Sequence, residues 1–558
     1  MTTSAELARR VRQARGLEPA DLVVKGGRIL NVADGTLDAG DVAVTGDTIV
    51  GTYEAYEGRQ IIDAHGLIVA PGFVDTHVHV ESSLVSPVEF ERLVLPRGTT
   101  TAICDPHEIA NVLGLDGIRY VLDAARELAL SLFVNLSSCV PSSPLETAGA
   151  TLSAAELAGL RDAPGVLGLA EVMSFPAVLA EAPDVLAKLE AFQGRQIDGH
   201  APLLSGRDLA AYAAVGIRTE HEATLLDEAR EKLKKGMAIL AREGSVAKNV
   251  ATLAPLLRDF TAARIAFCTD DRNPAEILAE GHLDHAVRTA IAAGAAPMAA
   301  YRAASLTGAE VMGLRDRGLI APGYRADLLL VENLEAVTVE RVIAGGALFR
   351  AGEGRIETSG VGRGSVKRAE VTAAELTPLV AAPAATIGVR PGSLITDRLE
   401  RDPRDADVLT LAVLERHGKN GNIGLGHVSG FGPLDGAIGL SVGHDSHNLS
   451  VLGRDPEELA IAANRLIALD GGAVAVRGGE VVAELALPIA GLMSDRPYEE
   501  VVDRLASLER AIKAMGGTLG QPLLQLAFLP LVVIPHLKLS DRGVVDVDRF
   551  ALLDRVTG

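Results

Sequence analysis

The spacing of apolar and polar positions changes along this chain, and the changes divide it. Between residues 21 and 70, short runs alternate apolar and polar positions and break at glycine or aspartate. They are Asp21-Leu-Val-Val-Lys-Gly-Gly-Arg-Ile-Leu30, Asp41-Val-Ala-Val-Thr-Gly-Asp-Thr-Ile-Val50 and Gln60-Ile-Ile-Asp63. Such alternation predicts hairpin-like strands, preceded by an amphipathic helix in residues 1–17. The same texture returns at 323–331 and 339–346. Two β-rich pieces around a long insert predict one small β-sandwich domain made of residues 1–70 and 315–370.

Within the insert, 71–314, apolar and β-branched runs alternate with helical stretches. Eight strands are predicted, at 72–79, 100–105, 130–138, 166–173, 197–202, 217–223, 236–243 and 264–270. Eight strand–helix units in roughly 240 residues is the size of a (β/α)8 barrel. From 371 to 558, helical periods at 455–470 and 498–516 alternate with strands such as 472–476, which predicts an α+β domain. The expected class is α/β: a (β/α)8 TIM-like barrel inserted in a small β-sandwich domain, with a C-terminal α+β domain.

Composition narrows the partners. The 558 residues are too many for one core. At 48% hydrophobic and 23% charged the chain reads as globular. With no Trp and 3% aromatics, few rings are available to stack on bases. A net charge of −20 repels phosphate backbones and anionic lipid, so neither nucleic acid nor membrane is an expected partner. Cys104, Cys139 and Cys268 are far apart in β-like runs, with no CxxC, and are expected as buried reduced thiols. No apolar run reaches a membrane span or the core of a signal peptide, and the cytoplasm is the expected location.

Barrel enzymes carry their chemistry at the carboxyl ends of the strands. Here those ends read His77-Val-His79, Glu171, His200, His221 and Asp270. Residues two apart on a strand share a side, so both imidazoles of the first pair can reach one ion. A lone barrel histidine is more often a satisfied structural residue. Six such groups on five strand ends converge on one point and predict a metal site. Imidazole and carboxylate without thiolate suit Mn, Fe(II), Zn, Co or Ni.

Several motifs carry a resemblance: Pro71-Gly-Phe-Val-Asp-Thr-His-Val-His79, His79-Val-Glu-Ser-Ser83, Cys104-Asp-Pro-His-Glu-Ile-Ala-Asn111, Arg242-Glu-Gly-Ser-Val-Ala-Lys-Asn249, Cys268-Thr-Asp-Asp-Arg272, Gly443-His-Asp-Ser-His-Asn448 and Leu487-Pro-Ile-Ala-Gly-Leu-Met-Ser-Asp495. With them the chain resembles the amidohydrolase superfamily, and within it the bacterial, binuclear adenine deaminases, over nearly its whole length. The resemblance implies that His77 and His79 hold a first metal, and His200 and His221 a second. It makes Glu171 the bridging ligand where many relatives use a carbamylated lysine, and Asp270 a ligand of the first metal that also shuttles protons. It implies two divalent ions, Mn(II) first and Fe(II) or Zn(II) as alternatives. It further implies that a hydroxide shared by those ions attacks adenine C6 to give hypoxanthine and ammonia in purine salvage, and that the protein is a homo-oligomer, dimer or higher.

His107 and Glu108 are candidates for ring recognition or protonation, with a loop-bracing salt bridge as the bland alternative. Glu81, His444 and Asp445 are further substrate-binding candidates. Asp271 is expected to point away and anchor Arg272 or the loop, and Arg242, Glu243 and Lys248 to form ion pairs. One rival reading is a hydantoinase- or dihydropyrimidinase-like cyclic-amide hydrolase, and another is an amidohydrolase acting on a related aminopurine. A third is a non-catalytic scaffold. A cytidine-deaminase-type zinc site fails for want of paired cysteines.

Overall fold

The computed structural model describes residues 2–258, 260–378 and 382–553; Met1, 259, 379–381 and 554–558, including the outer ends of the first and last expected domains, lie outside the described residues. Strands Ala20–Asn31, Thr36–Thr45, Thr48–Thr52, Gly58–Asp63 and Ile68–Pro71 join Leu328–Val331, Val339–Ala344 and Ala347–Leu348 in one eight-stranded mixed sheet. The two flanks of the insert meet where Leu328–Val331 pairs antiparallel with Ile68–Pro71. Period-two alternation gives the sheet two apolar faces. Leu22, Val24, Val42 and Val44 lie in one core, Val23, Ala43 and Val50 in another. The run expected at 41–50 is split by a tight turn in which Gly46 takes φ +58°, a conformation that suits glycine.

Between the flanks, eight parallel strands follow one another in sequence order: Phe73–Val78, Thr99–Cys104, Ser131–Leu136, Val166–Val172, Gln196–Gly199, Thr219–Glu220, Ala238–Arg242 and Ile265–Cys268. A parallel bridge between Val78 and Asp270 closes the barrel, with the Asp270 amide donating to the His77 carbonyl at 3.0 Å. All eight predicted strands are present. The sixth is much shorter than the predicted 217–223. Past its end, the amides of Glu222 and Ala223 donate to the Glu220 carboxylate instead of to a neighbouring strand.

One part of the barrel interior is an apolar plug in which Val74, Ile103, Leu240, Ala266 and Cys268 meet Ala309, Met312 and Leu314. Polar side chains therefore gather at the carboxyl ends. In the first strand, register slips between Asp75 and Val78. Such irregularities re-aim side chains beside active sites.

The C-terminal region builds a third eight-stranded sheet, from Ala384–Val389 to Glu480–Ala486, with helices Pro456–Ala468 and Tyr498–Ala514. It is tied to the loop after barrel strand 3. Thr147 donates its amide (2.9 Å) and hydroxyl (2.7 Å) to Asp541, and Asn448 donates to the Thr147 carbonyl at 3.0 Å. Cys104 and Cys268 are buried in barrel strands and all three thiols are free, but Cys139 is half-buried in that loop, not in a strand. It follows the strand's end because Ser138 and Cys139 turn to the Glu171 carbonyl. Among the described residues, no helix is long and apolar enough to cross a membrane.

Candidate metal centre

Five barrel strands deliver a buried cluster whose centre is Glu171, at the end of strand 4. Its Oε2 lies 2.8 Å from His200 Nδ1 and 3.2 Å from His221 Nε2. Its Oε1 lies 3.5 Å from His79 Nε2 and 3.8 Å from His77 Nε2. One carboxylate thus faces both histidine pairs, an oxygen to each. Asp270 completes the cluster, with Oδ1 3.1 Å from His79 Nε2. It sits at φ +56°, in the left-handed region that Asp tolerates better than most residues.

The remaining ring nitrogens explain why these donors point inward. His79 Nδ1 is 2.9 Å from the Asp105 carbonyl, and His77 Nδ1 is 3.1 Å from Asp198 Oδ2. Carbonyls and carboxylates only accept, so both rings carry N–H on that side. In the neutral rings this leaves two Nε2 lone pairs facing each other at 3.1 Å, beside two carboxylates. A cation uses all four groups at once, and a histidine ligand whose other nitrogen is held by a carboxylate or carbonyl is the usual arrangement at metal sites. The residues present fit divalent metal.

Charge around the cluster is arranged to keep its acids ionised. Burial would raise the Asp270 carboxyl, but the His79 ring facing it and the charge of Arg242 hold it well below the usual range. Arg242 donates to Asp270 Oδ2 at 2.8 Å and to Glu222 Oε2 at 2.9 Å. Burial opposes charge on Glu171 too, and hydrogen bonds with His107, His200 and His221 overcome it.

Beside the cluster, His107 Nδ1 is 3.0 Å from Asp105 Oδ2 and 3.1 Å from Glu171 Oε1. Its Nε2 is 3.3 Å from Glu108 Oε1 and 3.9 Å from Asp445 Oδ1. Burial disfavours its cation, yet the Glu108 and Asp105 carboxylates raise it well above the ordinary histidine value. Glu108 also meets His444 Nδ1 at 2.6 Å, and His447 Nε2. His444 stacks on Phe528 at 4.2 Å. The C-terminal region therefore reaches the barrel mouth with a histidine pair.

Residues 68–349 match the amidohydrolase family, and residues 390–551 match the adenine deaminase C-terminal domain. An adenine deaminase of Methylobacterium nodulans is 56% identical, over 98% of this chain and all of that one. Those of Cereibacter sphaeroides and Sinorhizobium fredii are 55% and 54% identical, over 97% and 99% of this chain and 98% and 100% of theirs. The chain belongs to the adenine deaminase family.

In this adenine deaminase family member, His77, His79, Glu171, His200, His221 and Asp270 come together in one cluster, with His107 and Glu108 beside it. His444 and Asp445 lie against that pair. Glu81 lies beyond the strand, which ends at Val78, in a turn at Val80–Ser83; its Oε1 accepts the Ile109 amide at 3.1 Å, and its Oε2 is buried without a hydrogen-bond partner among the described residues. Of the two roles expected for Asp271, Arg272 is not its partner, since Arg272 donates to the Gly281 and Glu243 carbonyls and to Glu280. Asp271 instead braces loops, its carboxylate accepting from Ser82 and its carbonyl from the Ser245 amide at 2.7 Å. Arg242 is an ion-pair residue, but within the site.

Asp198 was missed; His447 lies in the Gly443–Asn448 motif, but its contact with Glu108 was not foreseen. Asp198 stands two residues before His200, on the same side of strand 5, so the Asp-Gly-His alternation was the available signal. Fully buried, it also lies 3.6 Å from His221 Nδ1 and accepts from Thr219 Oγ1 at 2.6 Å. Burial would raise it, but His221 and His77 hold it below the usual carboxylate range. Asp198→Asn should weaken metal binding about 10–100-fold, the usual effect of losing such a partner. Titration of metal-stripped protein measures this, and unchanged affinity would remove Asp198 from the metal centre.

Proposed function

We propose that this protein hydrolyses adenine to hypoxanthine and ammonia. The single observation that carries the reading is Glu171 facing both histidine pairs, in a chain more than half identical to named adenine deaminases over nearly its full length. His77, His79 and Asp270 would hold one divalent ion, His200 and His221 the other, and Glu171 both. When bound, such ions supply a water acidified from about 15.7 towards about 7.

The chain's own residues do the rest. In net terms a C6–O bond forms and the C6–N bond to the exocyclic amine breaks. Asp270, ionised and gripped by Arg242 at Oδ2, takes the proton released by water and returns it to the departing nitrogen. His107, held as a cation between carboxylates, can donate to the ring nitrogen where electron density builds up. Glu108 keeps that cation in place.

The reading extends to Mn(II) as the resident metal, supported by a donor set of imidazole and carboxylate without thiolate. It extends also to purine salvage in a cytoplasmic homo-oligomer. Residues 1–70 with 315–370 form the composite β-domain, 71–314 the barrel and 371–558 the C-terminal domain in this reading, which shared sheet membership supports.

The test compares Mn-loaded protein on adenine, followed by ammonia release, with its action on hydantoin and dihydrouracil, followed by ring opening. Adenine should be the faster substrate by orders of magnitude. Faster ring opening would replace the proposal with a cyclic-amide hydrolase. No reaction at full metal loading would leave a scaffold.

A further inference from the structure

Barrel strand 6 is the shortest in the ring, and strand 5 is no longer than strand 8, the next shortest. Gln196–Gly199 has four residues, Thr219–Glu220 has two, and they pair at only two positions. His200 and His221 lie just beyond their ends, where no ladder fixes the backbone. Something else must hold these two turns so that both rings meet one oxygen of Glu171.

A buried ion network beneath them does this. Lys232, on the helix Leu226–Lys234, is fully buried, 3.0 Å from Glu220 Oε2 and 2.7 Å from Glu228 Oε1. Lys232 Nζ also donates to the Ala201 carbonyl at 2.8 Å, next to His200. Glu220 accepts the amides of Ala201 at 3.3 Å, Glu222 at 2.9 Å and Ala223 at 3.1 Å, so it grips both turns. Glu228 accepts those of Leu203 at 2.7 Å and Thr224 at 3.2 Å. Three charges thus engage five amides and a carbonyl on the two histidine-bearing loops. Among the described residues, none of the three hydrogen-bonds to barrel strand 1 or 8, which carry His77, His79 and Asp270.

Burying three charges is costly, and apolar side chains of similar volume often serve stability as well or better. What apolar side chains cannot supply is acceptors for five loop amides. We propose that Glu220, Lys232 and Glu228 are positioning residues that set the second metal subsite, His200 and His221, without acting on the first. The inference rests on the assignment of those histidines to one ion.

The test uses metal-stripped full-length protein titrated with Mn(II), with bound metal counted by elemental analysis. Electron paramagnetic resonance then distinguishes coupled from isolated ions. Wild-type protein should take up two ions with a coupled signal. In Lys232→Met the second ion should bind about 10–100-fold more weakly, the first within about threefold, and the coupled signal should give way to an isolated one. Glu228→Gln, which keeps Glu220 and Lys232 paired, should show the same selective loss in milder form and carries the test if Lys232→Met does not fold. Equal weakening of both ions, or wild-type affinity for the second in a folded variant, would overturn the proposal. Wild-type protein that takes up a single ion overturns the two-ion reading, and this inference with it.

Discussion

Asp270→Asn protein should fold and lose about 10²–10⁴-fold in the rate of adenine deamination, the range that positioned proton transfer supplies. Asn keeps the shape and one acceptor oxygen but cannot carry a proton from water to the leaving amine. Two features favour a catalytic loss over collapse. Arg242, which loses its partner at Oδ2, still has Glu222. The Asp270 amide and carbonyl, which close the barrel against His77 and His79, do not depend on the side chain. Because Asp270 Oδ1 also faces His79 at 3.1 Å, metal content must be measured beside the rate. Turnover within a few-fold of wild type at equal metal loading would end the proton-carrier role.

How much of this site was legible follows from where each residue sits. Side chains at the ends of barrel strands were readable, because period-two alternation and the strand count place them before any contact is known. His77, His79, Glu171, His200, His221 and Asp270 are all of this kind. Groups whose direction depends on a loop were not. Glu81 was expected on an extended strand, but the chain turns into Val80–Ser83, where one carboxylate oxygen takes a helix amide and the other stays buried without a partner among the described residues. Asp271 would face away in an extended strand, but with Asp270 at φ +56° the alternation fails and Asp271 meets Ser82. His447 touches Gly443 and His444 in its own turn but also reaches Glu108, 339 residues away, and no local pattern predicts that pairing. The fold follows the same rule: strand 6 was overestimated because a carboxylate took the amides that a ladder would have used.

The Glu108 junction yields the other large effect. Glu108 is 2% exposed and meets His107, His444 and His447. Glu108→Gln removes the anion and leaves buried imidazoles without it, a change worth about 3–5 kcal/mol when one partner of a buried pair is lost. Local opening of the turn at 443–448 should then become easier, with its amides exchanging about 10²–10⁴-fold faster. The pH dependence fixes the cause. Burial opposes charge on His444, but Glu108 raises it to about 9. Its folded-state value lies above the ordinary 6.5, so its contribution is whole below about pH 6.5 and fades as pH rises through about 9. Burial outweighs Glu108 at His447 and lowers it to about 4, so that contribution is present above about pH 6.5 and is lost as pH falls through 4. Between pH 6.5 and 9 only His444 titrates of this pair, and the gap in exchange between wild type and Glu108→Gln should narrow across that interval. A gap that stays constant from pH 6.5 to 9 would assign the junction to shape and hydrogen bonding, and not to the ion pair that joins the C-terminal domain to the barrel.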